Sequence, residues 1–60
     1  MQDYQKHLEK LRRDAAECEL IANLASDPAK RDLFARLAKR HATLADEVER
    51  EMAARRAAGQ

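Results

Sequence analysis

The strongest constraint in this chain is a spacing. From Tyr4, apolar or small residues recur at Leu8, Leu11, Ala15, Cys18, Ala22 and Ala25, in steps that alternate four and three. Such steps return to one face of a 3.6-residue helix, whereas a strand would need every second residue. The pattern is a heptad seam and predicts an α-helix over about residues 3–25. Asp3 stands where an N-cap carboxylate can accept from a free first-turn amide. Glu9 with Arg13 adds an i,i+4 pair on the solvent side.

The seam breaks at "ASDPAKRD". Proline at position 28 suits the first turn of a helix, where its missing N–H costs nothing. It also drives Asp27 toward the extended geometry of an N-cap. Ser26 and Asp27 therefore read as a tight turn (26–27), with Asp27 capping a second helix over about 28–57. That helix carries its own seam at Phe34, Leu37, His41, Leu44 and Val48, widened by Ala38, Ala45 and Met52. Asp32 with Arg36, Asp46 with Arg50 and Glu51 with Arg55 are spaced to pair along it. Arg55 and Arg56 suit the negative pole of its dipole. A two-residue connection lays the helices antiparallel, so the expected fold is an all-α two-helix hairpin. Pairing outward from the turn sets Cys18 opposite Phe34, Leu11 opposite His41 and Tyr4 near Val48.

Sixty residues make one domain at most, and so short a chain buries only ~60% of its unfolded surface. Chains of this size gain further stability from disulfides, metals or association. A single cysteine rules out an intrachain disulfide and fits a reducing compartment. Leu20, Ile21 and Leu24 lie off the first seam, and Leu33 flanks the second, so the turn end is apolar beyond its internal face. Clusters of this kind mark interaction surfaces. The expectation is a homodimer that buries them in a four-helix bundle. The same residues would serve equally to dock an unidentified protein partner.

Charged residues make up 38% of the chain and aromatics 3%, with a formal net charge of +1. Bases and acids interleave, which argues against a dedicated nucleic-acid or anionic-membrane binder. No apolar run approaches a membrane span, and the first ten residues are polar. A cytoplasmic protein is expected.

The stretch "LRRDAAECELIANLASDPAKRDLFARLAKRHATLADEVE" resembles a family of short helical proteins common in alphaproteobacteria, especially the rhizobial group. The match lies in Ala15-Ala16-Glu17-Cys18, Asp27-Pro28, Arg31, Leu37-Ala38 and Leu44-Ala45, within roughly residues 11 to 49. Two positions depart from it: Leu11 stands where the family usually has tyrosine, and His41 where it usually has tryptophan. The resemblance implies the hairpin fold and supplies no catalytic residues.

Few side chains invite chemistry. Cys18 sits mid-helix between Glu17 and Glu19, far from the cationic surroundings that activate a thiol, and is read as a small packed hydrophobe. His41 has the chemistry of a metal ligand or pH switch. Yet it lies about two turns from Cys18, roughly 10 Å along the helices, and His7 completes no ligand spacing. A seam histidine satisfied by a neighbour is the simpler reading. Asp46, Glu47, Glu49 and Glu51 read as a solvated face. With no nucleophile triad, glycine-rich phosphate loop or paired catalytic carboxylates, the sequence predicts neither an enzyme nor a cofactor, metal or small-molecule substrate. The expected role is interaction or adaptor work. The alternative is a small nucleic-acid-binding dimer using Arg36, Lys39 and Arg40, with Arg55 and Arg56 further on.

Overall fold

The computed structural model describes residues 3–59, and they form two helices. Helix α1 spans Tyr4–Leu24 and α2 spans Pro28–Ala58. Both are built from alanine, leucine, lysine, arginine and glutamate, the residues that lose least on entering a helix. The Asp3 carboxylate accepts from the Lys6 N–H at 3.1 Å and caps α1. Asp27 is extended (φ −84°, ψ 121°), and its carboxylate accepts from the Ala29 N–H at 3.1 Å, with Pro28 entering the first turn. Gly59 closes α2 by donating its N–H to the Arg55 carbonyl at 2.9 Å.

The connection is one residue longer than the spacing predicts. Ala25 keeps its N–H bond to the Ile21 carbonyl, but its own backbone is extended (φ −71°, ψ 132°), so the turn comprises Ala25, Ser26 and Asp27. The Ala25 carbonyl is freed by that change. The Arg31 guanidinium takes it, donating from Nη2 at 2.9 Å and from Nε at 3.3 Å. The Arg31 N–H in turn donates to the Asp27 carbonyl at 2.9 Å. One arginine thus ties the first residue of the turn to the first helical turn after it.

The helices lie antiparallel as a rod of 50 × 15 × 14 Å. Its core is thin: Leu8, Ala22, Ala25, Ala38 and Ala45 are the buried residues. Alanine lines the closest approach because the separation of packed helices is set by the side chains at the contact. Tyr4, Leu11, Ala15 and Cys18 of α1 are half-buried beside that line, as are Phe34, Leu37, His41, Val48 and Met52 of α2. Leu44 departs from its expected place on the seam: it is 39% exposed, and Ala45 next to it is buried instead. Residues 37 and 44 occupy the flank of the apolar arc turned away from α1, and the arc is wider than one neighbouring helix can cover.

Contacts between the helices fall further along α2 than equal steps from the turn predict. Arg12 pairs with Glu49 at 2.9 Å, and the Arg55 guanidinium lies 5.0 Å from the centre of the Tyr4 ring. Side chains tilt toward the N-terminus of their own helix. Those of α1 therefore lean away from the turn and those of α2 toward it. Together with the third turn residue, this brings distant α2 positions into reach. The overhanging end of α2 is held in this way: Glu51 pairs with Arg55 at 3.2 Å while Arg55 covers Tyr4.

Other pairs keep the i,i+4 spacing but use partners or atoms that the sequence reading did not name. Glu9 accepts from the Gln5 amide at 3.3 Å, and Lys10 pairs with Asp14 at 3.4 Å. Arg50 donates to the Asp46 backbone carbonyl at 3.4 Å.

Candidate interaction surface

A two-helix rod has two broad faces, and here they differ in kind. One is a shallow groove of about 530 Å³ floored by Ala15, Ala16 and Ala22 of α1 and Ala35, Ala38 and Ala42 of α2. Arg12, Glu19, Asn23 and Lys39 rim it. Its floor offers only methyl groups, and its rim is charged and solvated.

The opposite face is apolar. Helical periodicity gathers Leu11, Cys18 and Ile21 of α1 there with Phe34, Leu37, His41, Leu44 and Val48 of α2. Most of these are half-buried, covered by the neighbouring helix on one side only. Toward the turn the exposure rises. Leu24 is 76% exposed, Leu33 45% and Ile21 37%. Leu20, at 57%, stands one turn from Leu24 on the outer surface of α1. It shares a shallow groove there with Ala16, Glu19 and Asn23. Ile21 and Leu33 therefore border that face, Leu24 stands at its outer edge on α1, and Leu20 lies on the shoulder beyond.

His41 is half-buried on this face, and its Nδ1–H donates to the Leu37 carbonyl at 2.8 Å. That bond follows from the i−4 spacing and holds the ring against its own helix. Cys18 is a free, half-buried thiol on the same face. Among the described residues, no three or more histidine, cysteine, aspartate or glutamate side chains gather as a metal site would require. No described helix is long and apolar enough to cross a membrane.

The cations Arg36, Lys39 and Arg40 share a groove on the back of α2 with Thr43, Leu44 and Glu47. Glu47 places a negative charge within that groove.

Sequence reasoning missed two features. Arg31 was visible only as a basic residue after Asp-Pro, and its grip on the Ala25 carbonyl depends on the extended Ala25 backbone. The place of Leu44 depends on which flank of the arc the partner helix covers. A signal for it did exist, because Leu37 and Leu44 share a heptad position while Ala38 and Ala45 share the next.

No protein family, curated protein or solved structure matches the chain.

Proposed function

We propose that the chain is a small interaction protein of the cytoplasm that works as a homodimer, two hairpins burying their apolar faces in a four-helix bundle. One observation carries the reading: the large apolar side chains lie outside the core. Leu20, Ile21, Leu24, Leu33 and Leu44 are all exposed, while Leu8 is the only buried residue larger than alanine among the described residues.

Area supports the same conclusion. A compact protein of 6.8 kDa exposes roughly 4,000 Å², and this chain exposes 4931 Å². That excess of about 1,000 Å² reflects the elongated 50 × 15 × 14 Å rod, the overhanging end of α2 included. A standard protein interface removes about 800 Å² from each partner. An excess of this order leaves surface enough for a second copy to cover.

The binding role is preferred to a catalytic one because its observation is a positive one, the exposed apolar side chains. Kinship with the short alphaproteobacterial hairpins rests on the Ala-Ala-Glu-Cys and Asp-Pro motifs and is part of this proposal. Sedimentation of the purified chain at micromolar concentration tests the central claim. A dimer of twice the chain mass is expected, and Leu20→Glu/Leu24→Glu should shift it toward monomer. A stable, folded monomer of the unaltered chain would overturn the reading.

A second reading, binding of nucleic acid by the dimer, has one observation in its favour: Arg36, Lys39 and Arg40 line a common groove. Binding through these residues would weaken steeply as salt rises. No gel shift at low salt would dismiss it.

A further inference from the structure

We propose that the second copy covers the apolar face with its turn at the same end, about a two-fold axis parallel to the helices. The inference rests on the self-association proposed above and adds its orientation. Along the outer edge of the face α1 carries Lys10, Glu17 and Leu24, and α2 carries Leu33, Arg40 and Glu47, every interval being seven residues. Seven residues are close to two turns, so each trio forms a column on its helix. Leaving the turn, α1 presents leucine, acid, base, and α2 presents leucine, base, acid.

The columns overlap in height, with an offset that long side chains can span. Leu24 with Leu33, Glu17 with Arg40 and Lys10 with Glu47 lie within about one helical turn of the register that the Arg12–Glu49 bridge sets. A two-fold axis parallel to the helices leaves every height unchanged and sets α1 of one copy against α2 of the other. Leu24 then meets Leu33 of the second copy, Glu17 meets its Arg40 and Lys10 meets its Glu47. Each rung occurs twice. Inside the ladder, Ile21 and Leu37 face one another at the leucine end. Asp14 opposite Leu44 is the mismatched level, and the Lys10 ammonium stands 3.4 Å from that carboxylate.

Turning the second copy end for end would pair Lys10 with Glu17 and Arg40 with Glu47, which satisfies the charges equally well. The leucines decide between the two. With turns apart, Leu24 falls beside Asp3, and Leu33 meets only the alanines of the overhanging end of α2. With turns together, Leu24 and Leu33 of both copies cover each other, and the charged rungs complement one another at the rim.

The test places a spin label at the turn, through Ser26→Cys in a Cys18→Ala background, and measures the label-to-label distance in the dimer. A distance below half of the 50 Å molecular length is expected. A distance above that half, toward the roughly 37 Å that pairing Lys10 with Glu17 end for end sets between the two turns, overturns the orientation while leaving self-association intact. Sedimentation of the unaltered chain as a monomer overturns both. Amine cross-linking of the unaltered chain distinguishes the two orientations without any substitution. A Lys30–Lys30 product is expected, and Lys30–Lys6 in its place would mean that the turns lie apart.

Discussion

The two ends of the hairpin solve the same problem with opposite means. At the turn end, closure is covalent and hydrogen-bonded: Asp27 caps α2, Arg31 grips the Ala25 carbonyl, and Ala22 and Ala25 are buried. That end also displays Leu24, the most exposed of the large apolar side chains. The open end has no connection to hold it. It closes over one buried leucine, Leu8, with the Arg12–Glu49 bridge and the Arg55–Tyr4 contact around it. Its outer surface is charged and at ease in water. The end with the tightest internal bonding is therefore the one that still needs covering. The end with the loosest closure needs nothing more.

That contrast can be broken at either end, and the expected effects differ in size. The largest follows from Leu24→Glu/Leu33→Glu. Each leucine gains ~1.5–3 kcal/mol on full burial, so the double change should weaken dimerisation by at least 100-fold, measured as Kd by sedimentation. The helicity of the chain at high concentration should change far less than the Kd. If the Kd is unmoved, the turn end is not the site of association.

Leu8→Ala comes next and acts on the opposite end. Truncating a buried leucine costs ~2–5 kcal/mol, a large part of what a small protein has. Thermal melting followed by circular dichroism should show a loss of most of the cooperative transition. A shift of only a degree or two would mean that Leu8 is not the anchor of the open end.

Arg31 tests the turn more finely. A hydrogen bond to a charged donor contributes ~1.5–3 kcal/mol, so Arg31→Ala should lower stability in urea by about 1.5 kcal/mol. Arg31→Lys should recover only part of this, because lysine lacks the planar fork that reaches one carbonyl with two N–H groups. Equal stability of the two variants would show that charge alone matters there. The smallest effect belongs to Arg12→Ala. Both partners of the Arg12–Glu49 bridge are more than half exposed, and such pairs contribute at most ~1 kcal/mol. Raised salt should reduce the difference further. A larger loss, persisting in salt, would place that bridge among the main supports of the open end.

Much of this architecture was legible before the structure. Alternating steps of four and three gave both helices, and Asp-Pro gave the break and the cap, because those signals are local and depend on backbone geometry alone. The turn was read one residue short, since Ala25 fits the seam by spacing and leaves the helix only because the chain must reverse there. Burial was less legible. Periodicity locates the centre of an apolar arc but does not say how the arc is shared between the neighbouring helix and the outside. Ala38 and Ala45 took the inner position and Leu44 the outer. Arg31 and the Arg12–Glu49 bridge were not legible at all, because each joins residues whose proximity exists only after the chain has turned. Leu20, Leu24 and Leu33 needed no such geometry. They lay off the seam in the sequence and lie off it in the structure.

A seam floored by alanine has a mechanical consequence. Long side chains interlock like teeth, so a helix pair built on them resists sliding along its length. Methyl groups fix how closely the helices approach, but they make a smooth bearing that opposes sliding weakly. The lengthwise position of α1 on α2 must therefore be set elsewhere, by a pin at one end and a latch at the other. The pin is the three-residue turn with Arg31 across it. The latch is the pair of arginines, Arg12 and Arg55, that reach between the helices at the far end. Lengthening the turn would release the pin and leave the hairpin free to slip until the latch found its next tooth.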